Sequence, residues 1–169
     1  MHTFEECWRY ALEGGVLLDR REAERLFHYA QTYAEEIVEV GTCTGGSGCI
    51  LAATARRLTL IEPGTHRASA ILRNLARTPW FHCASLLTVK DNIVWPHYPG
   101  KISLLFLDHE HTWAAVRNSL HGWRRSMAED SIVACHDYNG EKYPEVKNAI
   151  DESGIRVIEV VGAMAFCKW

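Results

Sequence analysis

EVGTCTGGSG, residues 39–48, is the stretch on which the fold turns. It joins a short β-branched run, IVEV (37–40), to a helix-forming one, CILAATARR (49–57). Gly41 and Gly45 allow sharp backbone bends and close approach of a ligand, because no Cβ stands in the way. The free amides where the helix begins, near Ser47, favour a polar or anionic group. A nicotinamide dinucleotide fits poorly. GxGxxG begun at Gly41 needs glycine at position 43, where Cys43 stands, and a pyrophosphate needs more backbone room. Glu39, ahead of the first glycine, suits instead a ligand carrying an ammonium group, such as an amino-acid moiety. The next apolar run, LTLIE (58–62), ends in Glu62, an acid placed to accept hydrogen bonds from both hydroxyls of a ribose. Taken singly, the turn is also a tight connection and Glu62 a solvated charge. Together they point to a nucleoside ligand with an amino-acid tail.

Strands and helices alternate outward from this turn. DRRE (19–22) is a capping box with Asp19 as N-cap and Glu22 reaching back, and Ala23, Leu26, Phe27, Ala30 and Tyr33 follow at helical spacing. Beyond LTLIE, Ala68, Ile71, Leu72 and Leu75 mark a helix that ends before Thr78-Pro79. A weaker strand covers roughly 82–89, and KISLLFLD (101–108) reads as a strand buried on both faces. Trp113, Val116, Leu120, Trp123 and Met127 line one side of the next helix. SIVACH (131–136) is a strand, and Pro144 opens a helix that Gly154 closes. IRVIEVV (155–161) and AMAFCKW (163–169), divided by Gly162, form a terminal hairpin.

Such alternation predicts an α/β fold. It is a Rossmann-like three-layer sandwich around a mostly parallel seven-stranded sheet, the last strand antiparallel because only a tight turn precedes it. One domain spans residues 1–169, with 1–18 a short N-terminal extension. Ligands bind at the carboxyl edge of such sheets, and each motif lies at the C-terminal end of an expected strand.

The 169 residues suit one core of ordinary size. Hydrophobic residues make up 47% and charged residues 23%, which excludes disorder and fibrous repeats. Lys and Arg number 18 against 21 Asp and Glu, a formal charge of -3, so the basic footprint of a nucleic-acid binder is missing. No run reaches the roughly 18 to 20 apolar residues of a membrane span. MHTFEECWRY (1–10) lacks the basic start of a secretory signal, so a cytoplasmic protein is expected. The 6 cysteines (Cys7, Cys43, Cys49, Cys83, Cys135, Cys167) include no CxxC pair and read as free thiols.

Reactive side chains concentrate in two later segments. DHEH (108–111) sets a carboxylate, Asp108, ahead of an imidazole, His111, that titrates near neutrality. HDYN (136–139) adds Asp137 as a second carboxylate, next to His136. Two carboxylates from adjacent strand ends can hold Mg²⁺, which keeps several waters and takes substrate oxygens. His136 suits softer ions better. Either aspartate alone also reads as a turn cap, and His111 as an exposed residue at a helix start. Trp95, His97 and Tyr98, in NIVWPHYPG (92–100), border the same edge as an aromatic wall or as a loop anchored by its own aromatics.

In EVGTCTGGS, LFLDHEH (105–111) and VACHDY (133–138) the chain resembles the class I S-adenosylmethionine-dependent methyltransferases, over roughly Asp19 to Trp169. Within them it is similar to the small-molecule O-methyltransferases of the catechol and the sugar or antibiotic types. The resemblance implies S-adenosyl-L-methionine as cofactor, with Glu39, Gly41, Thr42, Gly45 and Ser47 around its methionine part. It implies Glu62 on the ribose, Asp91 near the adenine, and His109 beside the adenine or the sulfonium. It further implies His111 as general base beside Asp108. Asp108 and Asp137 match ligands of Mg²⁺ or another divalent cation, with His136 near the third ligand's place. The reaction expected is methylation of a small hydroxylated substrate. A non-catalytic S-adenosylmethionine-binding scaffold or sensor is the alternative, and a nicotinamide-dependent reductase a weaker one. So little chain precedes the first expected helix that a lid lacks material. The acceptor site is then open, or closed by a neighbouring subunit of a homo-oligomer.

Overall fold

The computed structural model describes residues 2–139 and 141–169. IVEV forms β1 (Ile37–Val40), with all of its residues buried. It pairs in parallel with β2 (Leu58–Ile61) on one side and β4 (Ile102–Leu107) on the other. β3 (Ala84–Leu87) extends the sheet in parallel beyond β2, and β5 (Met127–Cys135) beyond β4. β7 (Met164–Lys168) runs antiparallel between β5 and β6 (Arg156–Val161), which completes the order β3-β2-β1-β4-β5-β7-β6. The expected seven-stranded, mostly parallel sheet with a reversed last strand is therefore present.

The central strands are mostly apolar because both of their faces are covered. Ile37, Leu60, Leu104 and Phe106 pack with α1 (Phe4–Glu13), α2 (Arg20–Thr32), α3 (Gly46–Ala52) and α4 (Ala68–Ala76). Val38, Val40, Leu105 and Leu107 pack with α6 (Trp113–Trp123) and α7 (Pro144–Asp151) on the other face. A short helix, α5 (Asp91–Val94), occupies the connection between β3 and β4. Among the described residues no helix is long and apolar enough to cross a membrane.

Four elements depart from the sequence reading. Residues 1–18 are not merely an extension, since α1 lies within them. Thr3 caps it in a reciprocal box with Glu6, and Phe4, Cys7 and Ala11 face the core. TFEE carries the same capping signature as DRRE, so this helix was legible. The helix after the glycine turn ends at Ala52 rather than Arg57. Met127, read as part of a helical face, instead opens β5, which starts earlier than Ser131 and meets β4 through a register shift. The third strand shrinks to Ala84–Leu87, and α5 takes up part of the connection after it.

Candidate active site

A cleft of about 770 Å³ runs along the C-terminal ends of β1, β2, β4 and β5. Gly41 joins its two halves. Its φ is +94°, and a Cβ built there would lie 1.8 Å from the Asp108 carbonyl oxygen. Its amide donates to the Ile61 carbonyl and the Asp108 amide to the Val40 carbonyl, both at 2.9 Å. The glycine turn and the DHEH segment thus touch backbone to backbone, which only a residue without a side chain permits. Cys43 follows at φ +53°. The position where GxGxxG has its middle glycine is a cysteine held in a conformation that glycine adopts most readily.

Gly41, Glu62, Asp91 and His109 line this cleft, as do Asp108, His111, His136 and Asp137. Glu39, Thr42, Gly45 and Ser47 do not; they are buried behind the turn. The Ser47 hydroxyl donates to Glu39 Oε1, while Glu39 Oε2 finds no partner among the described residues. Burial, with the negative charges of Asp108 and Glu62 adding to it and the Ser47 hydrogen bond opposing, pushes the Glu39 carboxyl up to about 8. Glu39, expected from the sequence beside the ligand's amino-acid part, lies beneath the turn.

Glu62 sits just past β2 and is almost wholly buried. Its Oε2 accepts from the Cys43 amide at 2.9 Å and lies 3.3 Å from Arg67 Nη1, and its Oε1 accepts from the Gly64 amide at 2.8 Å. A carboxylate has about four acceptor sites, and these contacts use three, so about one remains for a hydroxyl donor. At the far end, Asp91 Oδ2 accepts from the Ser119 hydroxyl at 2.5 Å and lies 3.4 Å from Trp123 Nε1. Trp95 does form a wall of the cleft, and a Cβ at Gly122 would lie 2.3 Å from its ring. Tyr98 turns elsewhere, donating to Glu36 at 2.5 Å and standing edge-on to Trp123. Half-buried His109 has no partner for its buried Nε2 among the described residues, and loss of solvation lowers its pKa against the pull of Asp91 and Glu110.

The acidic end is compact. His111 Nε2 lies 2.8 Å from Asp137 Oδ2 and 3.8 Å from Asp108 Oδ1. His136 Nδ1 lies 3.4 Å from both carboxylates, and its Nε2 is 3.4 Å from Glu22 Oε2. Asp137 holds φ +60°, a strained conformation for a non-glycine residue of the kind that gathers at functional sites. Burial pushes the Asp108 carboxyl up, but hydrogen bonds from His111 and His136 outweigh it and bring it down to about 2. The Asp108 carboxylate, helped by Asp137, holds the His111 imidazole above its ordinary value despite partial burial. Burial also disfavours a charge on His136, yet Asp108 and Glu22 raise it to about 10.

Asp108, His111 and Asp137 offer ligand atoms that all lie within 4.8 Å of one another, a set able to converge on one cation. His136, expected from the sequence near the third ligand's place, has both ring nitrogens turned to carboxylates, Nδ1 to Asp108 and Asp137 and Nε2 to Glu22. Two residues here escaped sequence reasoning. Tyr143 stacks on His111 with ring centroids 4.0 Å apart, and nothing in its local sequence announces this. In the sequence Glu22 reads only as a capping residue. The segment between α1 and α2 also borders the cleft. Thr44 Oγ1 donates to the Gly14 carbonyl at 2.7 Å, which lays this segment over the glycine turn, and exposed Leu17 lines the opening.

A parallel sheet of this order, with a reversed strand inserted beside its edge and a ligand cleft over a glycine turn, defines the class I S-adenosylmethionine-dependent methyltransferases. The family described as a methyltransferase domain matches residues 38–138, more than half of the chain, and the chain belongs to it. No curated protein matches significantly in sequence. Among solved structures, the chain is similar to an O-methyltransferase from Bacillus cereus in complex with SAH (15% identity, 98% of this chain and 90% of that one, TM-score 0.74). It is similar to the O-methyltransferase TomG from Streptomyces achromogenes, involved in tomaymycin synthesis and solved with SAM (14%, 98% and 89%, TM-score 0.72). It also resembles the SAH-bound methyltransferase PaMTH1 from Podospora anserina (12%, 98% and 87%, TM-score 0.76). At these identities the likeness is one of fold.

Proposed function

We propose that this methyltransferase transfers a methyl group from S-adenosyl-L-methionine to a hydroxyl of a small molecule, with His111 as general base. The observation that carries this reading is the convergence of His111, Asp108 and Asp137 at one end of the cleft that Gly41 and Glu62 line. Bound cofactor supplies an electrophilic methyl on a positively charged sulfur. The chain's own residues must hold that ligand, align the acceptor and take its proton.

The residues present fit the cofactor. The missing Cβ at Gly41 leaves room for close approach, Glu62 keeps acceptor capacity for a ribose, and Trp95 offers an aromatic wall. His109, which lines the cleft, has in Nε2 a buried polar atom still without a partner among the described residues. Glu39, with Ser47, supports the turn from behind. His111 takes the hydroxyl proton on its other ring nitrogen, Nδ1, while Nε2 keeps its proton toward Asp137 and Asp108, whose carboxylates stabilise the imidazolium that results. Those two carboxylates also suit a hard divalent cation such as Mg²⁺, which would bind the acceptor oxygen and acidify it.

Calorimetric titration with S-adenosylmethionine, followed by mass spectrometry on a panel of phenols, vicinal diols and sugars, tests the proposal. Binding with a gain of one methyl on a hydroxyl supports it, and EDTA should slow the transfer until Mg²⁺ is restored. Binding with no transfer to any hydroxyl would favour the scaffold or sensor reading. Absence of binding at millimolar cofactor ends both.

Glu62→Gln gives a sharper test of ligand placement. A carboxamide cannot accept from both the Cys43 and Gly64 amides on separate oxygens, as Glu62 does. Cofactor Kd should rise about tenfold, equivalent to about 1.4 kcal/mol. An unchanged Kd by calorimetry would show that the ribose lies elsewhere.

A further inference from the structure

We infer that Glu22 is a positioning residue for the acidic end of the cleft, acting through His136. This rests on the reading that methyl transfer occurs there. Glu22 belongs to α2, outside the strand ends that carry the reactive groups, and is almost fully buried. Its carboxylate is fixed from two directions. Oε2 accepts from the Asp19 amide at 2.8 Å, closing the capping box, and Oε1 accepts from the Ala163 amide at 2.6 Å in the β6–β7 turn.

Gly162 makes that second contact possible, since a Cβ there would come within 2.4 Å of Glu22 Oε1. The same turn is tied to the end of β5, where the Tyr138 amide donates to the Ala163 carbonyl at 2.7 Å and Asn139 Nδ2 to the Gly162 carbonyl at 3.1 Å. Glu22 therefore stands in a rigid corner built from α2, the hairpin turn and the strand end that presents Asp137.

From this corner Glu22 Oε2 faces His136 Nε2 at 3.4 Å. A carboxylate only accepts, so Nε2 carries the proton and the ring orientation is set. The opposite nitrogen then falls equally, at 3.4 Å, from Asp108 Oδ1 and Asp137 Oδ2. His136 is a spacer between the two carboxylates, and Glu22 is what keeps it from turning. This gives the capping residue a second task that a helix start alone does not require, because capping uses only the Asp19 contact.

The test uses the full chain, wild type and Glu22→Gln, with His136→Gln to assign signals. ¹⁵N-histidine NMR should show a His136 Nε2–H protected from exchange in wild type, with exchange at least tenfold faster in Glu22→Gln. An unchanged exchange rate overturns the inference. This arm needs no acceptor, so it decides the matter even if no hydroxyl is methylated and the proposed reaction fails. With an acceptor in hand, Glu22→Gln should lower kcat about tenfold with cofactor KM within twofold of wild type. Added to His136→Gln, it should lower kcat no further; effects that multiply contradict action through His136. If Glu22→Gln does not fold, Gly162→Ala, which presses on Glu22 from outside, should produce the same NMR change, and its failure to do so equally overturns the inference.

Discussion

Replacing His111 with Ala should lower turnover by about 10²- to 10⁴-fold, the range typical of a lost general base, while cofactor Kd by calorimetry stays within about twofold. An alcohol with a pKa far above neutrality is a poor nucleophile until its proton has somewhere to go. Within this cleft His111 faces two carboxylates through one nitrogen only, Asp137 at 2.8 Å and Asp108 at 3.8 Å, while Tyr143 fixes its plane by stacking. His136 faces carboxylates at both nitrogens, and half-buried His109 has its pKa lowered by loss of solvation.

The pH dependence carries its own sign. Asp108, with Asp137, raises the His111 pKa above its ordinary 6.5 against the effect of burial. A base works unprotonated, so kcat/KM in wild type should climb as pH rises through a value above 6.5, and the limb should vanish in His111→Ala. A profile flat across that region would remove His111 from the role of base.

Gly41→Val should cost about 3 to 5 kcal/mol of stability by denaturant unfolding and abolish measurable cofactor binding. Two causes add. A β-branched residue at φ +94° is strained in its own right, and its Cβ would fall 1.8 Å from the Asp108 carbonyl oxygen. That oxygen belongs to backbone at the end of β4, so no rotamer change relieves the overlap. Relaxation would have to part β1 from β4 where the turn and the DHEH segment meet. A variant that kept both stability and binding would mean that this contact is not what positions the two segments.

Much of this arrangement was legible in the sequence because it is written in local rules. Glycine marks where the chain bends, Pro144 and the capping box of Asp19 and Glu22 mark helix starts, and the apolar run 101–108 marks a strand covered on both faces. Residues that follow strands directly, such as Glu62, Asp108 and Asp137, therefore came together at one edge as expected. Depth was not legible. Glu39 and Glu62 both sit near the glycine turn, but whether a carboxylate faces a cleft or lies beneath the turn depends on the pleat and on α3 above it. Contacts across long sequence separations escaped as well. Nothing near Glu22 signals His136, and nothing near Tyr143 signals His111. These pairs exist because the hairpin and α7 return to the sheet edge, a tertiary fact with no local trace. The helix at Phe4–Glu13 follows the same local rule, since Thr3 and Glu6 spell its cap.

A crystal structure of the chain with S-adenosylhomocysteine would test the central claim most directly. The account predicts the ribose hydroxyls on Glu62, the adenine toward Trp95, and the sulfur turned to the end of the cleft where Asp108, His111 and Asp137 meet. A nucleoside bound away from Glu62, or a sulfur directed away from His111, would contradict it.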